Sequence, residues 1–123
     1  MTQLRLFLSI IFLSLASCSN GQSVDVKTFA KGLTPQVQLL DVRTPEEYQE
    51  EHLVNAKLAN INDDETFEKV AATLNKEKPV YVYCHSGRRS AKAAKNLKEK
   101  GFKTVVNLDG GIEAWKEADM PVE

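Results

Sequence analysis

The sequence predicts one α/β domain built on a mostly parallel central sheet of about five strands, flanked by helices on both faces. Three observations carry this prediction. Short apolar runs with strand character alternate with segments of helical periodicity over about 100 residues, as expected of strands joined by crossover helices. Start and stop signals, such as Thr44-Pro45 and Gly101, separate the two kinds of segment. A chain of 123 residues also holds one domain at most.

The first stretch stands apart from that domain. Met1 to Leu15 carries one base, Arg5, followed by an almost unbroken apolar run from Leu6 to Leu15. The run is shorter than the ~20 apolar residues of a membrane span and fits the core of a secretory signal. Leu15-Ala16-Ser17-Cys18 then resembles the lipobox of bacterial lipoproteins, in which cleavage leaves the cysteine as a lipid-bearing N-terminus. The expected division is a signal peptide over residues 1–17, a lipidated Cys18 with a polar tether over residues 18–23, and a domain over residues 24–123. The competing readings are a plain signal peptide with Cys18 incidental, or an uncleaved anchor. Ser19 after Cys18 is similar to the pattern of outer-membrane lipoproteins, so the expected location is the bacterial cell envelope, facing the periplasm.

Loss of that leader removes one of the 16 bases and none of the 17 acids, which leaves a formal net charge of −2. No strong charge then draws the chain to nucleic acid or anionic lipid, and membrane attachment would rest on the lipid itself. With Cys18 assigned to the anchor, Cys84 has no intramolecular disulfide partner. A lone thiol in an oxidising compartment is a liability unless it is used.

Within the domain, Val24-Asp25-Val26 reads as a short strand or the approach to a helix, and Phe29-Ala30-Lys31 as a brief helix ending on Gly32. Val37 to Val42 is the next strand. Pro45 opens a helix where its missing N–H costs nothing, with Thr44 as cap and Glu46 and Glu47 in the first turn. A short strand is expected within Lys57 to Ile61, then a helix capped in Asn62-Asp63-Asp64 that carries Phe67, Val70, Ala71 and Leu74 at helical spacing. Pro79 precedes the strand Val80 to Tyr83, and a helix beginning near Ser90 turns Ala93, Ala94 and Leu97 inward. Gly101 ends that helix, with Phe102 folded back on Leu97. Thr104 to Leu108 is the last strand, and Asp109-Gly110-Gly111 turns into a short helix containing Trp115, read as core or pocket wall.

Cys84 stands where the Val80–Tyr83 strand stops, with His85-Ser86-Gly87-Arg88-Arg89 forming the turn to the helix. Such a turn presents backbone N–H groups and the positive end of a helix dipole, both of which favour thiolate over thiol. Two arginines in the first turn of a helix are unfavourable with that dipole, so an anion is expected between them. The plainer alternative is a buried cysteine acting as a small hydrophobe. In parallel sheets, ligands bind beyond the carboxyl ends of the strands, where Cys84 lies. The lysines of the following helix read as a solvated face rather than a nucleic-acid surface, because no aromatic residues interleave with them. The scattered histidines and cysteines have no metal-ligand spacing, so neither metal nor organic cofactor is expected.

Four segments in order resemble the signatures of the rhodanese-like sulfurtransferase family: Asp41 to Tyr48, Glu51 to Ala56, the Cys84 loop, and Leu108 to Trp115. The look is that of small exported single-domain thiosulfate sulfurtransferases. The second segment departs from the family pattern, with Glu51, Val54 and Asn55 where glycine, proline and glycine are usual; Asn55 still tolerates a left-handed backbone. His52 in that turn reads as structural. Protein tyrosine phosphatases place an arginine six positions after the cysteine, which is Ser90 here, whereas Arg89 comes one residue earlier. That count disfavours phosphatase and arsenate-reductase chemistry.

The resemblance implies that Cys84 takes sulfur from thiosulfate or a similar anionic donor and passes it, as a persulfide, to a thiol or cyanide. Backbone N–H groups of His85 to Arg89 would hold the persulfide. Gly87 lets the loop turn inward, and Arg88 and Arg89 would bind the donor's sulfonate, either together or with one of them turned outward; the sequence does not say which. Asp41, by resemblance, holds the loop through hydrogen bonds, Arg43 with Glu47 forms a structural ion pair, and Ser90 caps the helix or bonds the loop. The alternative to an enzyme is a non-enzymatic module that carries a persulfide or binds a partner at the membrane. The expected state is a monomer.

Overall fold

Strands and helices alternate strictly along the computed structural model, which describes residues 21–123. The leader expected over residues 1–17 and Cys18, the expected lipidation site, lie outside the described residues. The strand β1 (Gln22–Val24) leads to α1 (Val26–Gly32), β2 (Gln38–Asp41) to α2 (Pro45–Glu50) and β3 (Lys57–Leu58) to α3 (Asp64–Ala72). The strand β4 (Val80–Tyr83) leads to α4 (Arg88–Glu99), and β5 (Val105–Leu108) to α5 (Gly111–Glu117). The five strands pair in parallel in the order β1-β5-β4-β2-β3, and Leu53 and Val122 form a separate antiparallel bridge.

Gln22 and Ser23, expected as tether, instead pair with Val106 and Asn107 as part of β1. They gave no apolar signal because β1 is an edge strand whose first two residues are exposed. Asp25 resolves the ambiguity around it: its carboxylate accepts the Thr28 N–H at 2.9 Å and caps α1. At α2, Thr44 and Glu47 form a reciprocal capping box with Pro45 in the first turn, as the start signal predicts. The helix α4 begins at Arg88, two residues before the expected start, because Gly87 takes the cap position with φ 106°. Both arginines are therefore helical rather than part of the turn.

Side chains alternate across the sheet, so the central strands β2, β4 and β5 each feed two cores. Val80 and Val82 meet Phe67 of α3 and Ala93, Ala94 and Leu97 of α4 on one face. Tyr83, Val106 and Leu108 meet Phe29 of α1 and Ile112 and Trp115 of α5 on the other, with Tyr48 of α2 packed against them. Full burial of Phe29 or Phe67 contributes about 1.5–3 kcal/mol each, which is what docks these short helices. Phe102 folds back at the end of α4, its N–H donating to the Leu97 carbonyl at 3.2 Å.

The chain leaves β2 toward β3 at one edge and leaves the adjacent β4 toward β5 on the other side. Outgoing connections therefore diverge between β2 and β4, and a crevice opens at their carboxyl ends. Arg43 follows β2 and Cys84 follows β4, so both arrive at that crevice.

The Glu51–Ala56 segment is fastened by the end of the chain. His52 and Glu123 exchange backbone hydrogen bonds at 2.9 and 2.8 Å, and the His52 ring stacks on Tyr48 with centroids 3.8 Å apart. Asn55 has φ 69°, the left-handed backbone expected of it. Among the described residues, no helix is long and apolar enough to cross a membrane.

Candidate active site

Cys84 directly follows β4 and is 1% exposed, in the core shared with α4. Its sulfur receives the Gly87 N–H at 3.1 Å and the Ser90 hydroxyl at 3.3 Å. Burial by itself raises the thiol pKa. The Ser90 hydroxyl and the N–H groups of Ser90, Gly87 and Ser86 outweigh it and hold the thiol below its ordinary value. These donors, rather than guanidinium charge, lead the effect. The sulfur thus sits as a hydrogen-bond acceptor at the N-terminus of α4.

Glycine is required at two points of this arrangement. Gly87 needs the left-handed region, with φ 106°, to turn the chain from strand to helix beneath the sulfur. Gly111, with φ 59°, lets α5 approach so closely that any Cβ would collide with the backbone of Cys84 and His85. That approach allows Ile112 N–H to donate to the Cys84 carbonyl at 2.9 Å and Glu113 N–H to the His85 carbonyl at 3.2 Å.

The two arginines differ. Arg88 is exposed. Arg89, one of the two candidates for the donor's sulfonate, donates to both Glu47 carboxylate oxygens, at 2.7 and 2.9 Å. That ion pair holds the Glu47 carboxyl at about 2, against the opposing effect of partial burial. Arg43 accordingly does not pair with Glu47. It forks onto Asp41, with its Nη2 at 2.7 Å from Oδ2, and its Nη2 also donates to the Glu51 carbonyl at 2.6 Å. Asp41 lies two residues away and fully buried, whereas the capping box turns Glu47 toward the start of α4.

Asp41 likewise holds something other than the Cys84 loop. It accepts the Tyr83 hydroxyl at 2.6 Å, and that hydroxyl oxygen accepts the Leu53 N–H at 3.0 Å. Burial first, then the Asp41 charge, push the Tyr83 phenol well above its ordinary value, so it stays a neutral donor. Asp41 and Arg43 thereby tie β2 to the Glu51–Ala56 segment and to the residue preceding Cys84. Ser90 is buried and bonds the loop, donating toward both Cys84 Sγ and the Gly87 carbonyl, rather than capping the helix.

His85 and Ser86 are exposed at the tip, with His85 Nε2 3.6 Å from a Glu113 carboxylate oxygen. Beside them lies an open groove of about 600 Å³, walled by His85 and Glu113 on one side and by Arg43, Glu47 and Glu51 on the other. Trp115 is buried against Phe29 as core and donates its indole N–H to the Pro121 carbonyl at 2.9 Å. Among the described residues, no cluster of His, Cys, Asp and Glu is placed to hold a metal ion. A buried thiol ringed by donors can act as a nucleophile and can stabilise negative charge on an atom attached to it.

The model of the rhodanese-like domain matches residues 25–118, from the cap of α1 to the end of α5. The chain belongs to the rhodanese-like domain family. It is 41% identical over 80 residues to thiosulfate sulfurtransferase GlpE of Coxiella burnetii, covering 65% of this chain and 72% of that one. The putative sulfur carrier protein YrkF of Bacillus subtilis is 40% identical over 82 residues, which span 64% of this chain and 41% of that protein. Among solved structures, the polysulfide-sulfur transferase homodimer of Wolinella succinogenes superposes with a TM-score of 0.72 at 32% identity, covering 85% of this chain and 80% of that one. This rhodanese-like domain thus keeps company with proteins named for sulfur transfer and sulfur carriage.

Asn107 and the Arg89–Glu47 pair escaped the sequence reading. Asn107 left a signal, as the one polar side chain within the apolar run Val105 to Leu108. The ion pair left none, because its partners are 42 residues apart.

Proposed function

We propose that this rhodanese-like protein is a sulfurtransferase that moves sulfane sulfur through a persulfide on Cys84. The observation that carries the reading is the Cys84 sulfur itself, which accepts the Gly87 N–H and the Ser90 hydroxyl at the start of α4, donors that hold the thiol below its ordinary pKa. The thiolate attacks the outer sulfur of thiosulfate; the S–S bond breaks and sulfite leaves with the electron pair. The persulfide's outer sulfur is then attacked by cyanide or a thiol, and the Cys84 thiolate departs as leaving group. The loop N–H groups hold the negative charge at each stage. Arg88, exposed beside the loop, is the cation for the donor's sulfonate, since Arg89 is engaged by Glu47. That engagement also supports sulfur over phosphate chemistry.

The test is incubation of the full-length chain with thiosulfate and intact-mass measurement. One added sulfur atom is expected, lost on cyanide treatment and absent from Cys84→Ser. No adduct, or one that survives the substitution, rules out the reading. Phosphate release from an aryl phosphate would turn it to phosphatase chemistry. Similarity to a protein named as a sulfur carrier supports a second reading, a module that holds the persulfide for a partner; single loading without turnover toward cyanide or small thiols distinguishes it.

The lipobox-like Leu15-Ala16-Ser17-Cys18 supports placing this chemistry at the cell envelope, with the domain tethered through lipid on Cys18. Cys18→Ala is expected to abolish lipid labelling and release the protein from membranes. Continued membrane retention would point to an uncleaved apolar anchor.

A further inference from the structure

Asn107 is 4% exposed in the middle of β5, on the sheet face that α4 covers. A polar residue at such a position is costly unless paired, and its Oδ1 is buried with no hydrogen-bond partner among the described residues. Its Nδ2 is aimed at the Gly87 carbonyl at 3.4 Å, and at Ser23 Oγ at the same distance. Reversing the amide would set two oxygens against each other at Gly87, so the donor belongs where it stands.

Three donors converge on that one carbonyl. Ala91 N–H reaches it at 3.1 Å as the first bond of α4, Ser90 Oγ at 3.1 Å, and Asn107 Nδ2 at 3.4 Å. A carbonyl oxygen has two lone pairs, and a hydroxyl has one proton. Ala91 and Asn107 have no other use for these protons on the loop, whereas Ser90 also lies 3.3 Å from Cys84 Sγ.

We propose that Asn107 is a positioning residue that takes the second lone pair of the Gly87 carbonyl and so leaves the Ser90 hydroxyl free to donate to Cys84 Sγ. Asn107 touches neither sulfur nor substrate; it acts through Ser90. When Cys84 carries a proton, Ser90 can turn to Gly87, and when Cys84 is a thiolate, Asn107 holds Gly87 in its place. The inference deepens the sulfur-transfer reading and rests on it only in taking Cys84 as the nucleophile.

The test measures the rate of iodoacetamide alkylation of Cys84 against pH in the full-length chain. No sulfur donor is involved, so a failure of sulfur transfer and a failure of this inference are separate results. Asn107→Val introduces a β-branched residue suited to a strand and removes the donor. It is expected to raise the thiol pKa and slow alkylation roughly three- to tenfold below that pKa, the range for loss of one hydrogen bond. Ser90→Ala is expected to slow it as much or more, and adding Asn107→Val to Ser90→Ala is expected to change nothing further. An unshifted profile in Asn107→Val, or an equal further shift in the Ser90→Ala background, overturns the proposal. Should Asn107→Val fail to fold, the side-chain amide resonances of Asn107 replace it. They are expected to move with the Cys84 titration in the unsubstituted protein and to lose that response in Ser90→Ala; a response that persists there overturns it equally.

Discussion

The turn from β4 to α4 and the turn from β5 to α5 share a backbone plan. In each, a central strand stops, a left-handed glycine occupies the helix cap (Gly87 with φ 106°, Gly110 with φ 77°), and no side chain caps the helix. Their free N–H groups go to different uses. Those of α5 are consumed within the protein, by the carbonyls of Cys84 and His85. At the start of α4, those of Gly87 and Ser90 face the Cys84 sulfur. The two uses are linked, because a trans peptide points its C=O and N–H in opposite directions. With the His85 carbonyl held by Glu113 N–H, the Ser86 N–H of the same peptide is left facing the sulfur. One helix terminus thus serves as scaffold so that the other can serve as an anion site.

The comparison can be broken hardest at Gly111. Gly111→Ala places a Cβ into the backbone of Cys84 and His85 at a positive φ, and neither obstacle can move cheaply. A loss of about 3 kcal/mol or more is expected in urea unfolding, or no folded protein at all. Near-native stability would mean the second turn is not the scaffold described.

Gly87→Ala tests the first turn with the same substitution. Its Cβ would meet nothing closer than 3.5 Å, so only backbone strain opposes it. The expected loss is about 1–2 kcal/mol, with the protein still folded, but Cys84 alkylation markedly slowed as the Gly87 N–H shifts off the sulfur. Equal stability losses at the two glycines would erase the distinction between scaffold and site.

The smallest effect is expected at the brace on the first turn, the Arg89–Glu47 pair. Glu47→Gln should cost about 1 kcal/mol at neutral pH, since the pair is partly exposed and screened. The Glu47 carboxyl is depressed from 4.5 to about 2, so its contribution is complete above about 4.5 and is lost as pH falls through about 2. Glu47→Gln is therefore expected to flatten the stability profile over that window, read by thermal unfolding between pH 5 and 2 as order-of-magnitude set points.

Much of this was legible in the residues. Thr44-Pro45 with Glu47, and Gly101 with Phe102, marked helix ends because caps are local and depend on neighbours a few positions apart. The left-handed backbone of Asn55 is legible for the same reason. The start of α4 lies two residues before the position its sequence signals, since a glycine cap carries no side-chain signal. Gln22 and Ser23 hid their strand because an edge strand with exposed side chains owes its pairing to a neighbour far along the chain.

By itself, the sequence determined the α/β alternation and the placing of Cys84 between a strand and a helix, and its four signatures determined the family. Those properties are encoded in periodicity, caps and short motifs, which act over a few residues. Only the tertiary structure decided which carboxylate each arginine takes, that Asp41 holds Tyr83 rather than the loop, and that Asn107 reaches Gly87. Each is a choice among several chemically acceptable partners, and sheet order and burial make that choice by bringing one of them within hydrogen-bond distance.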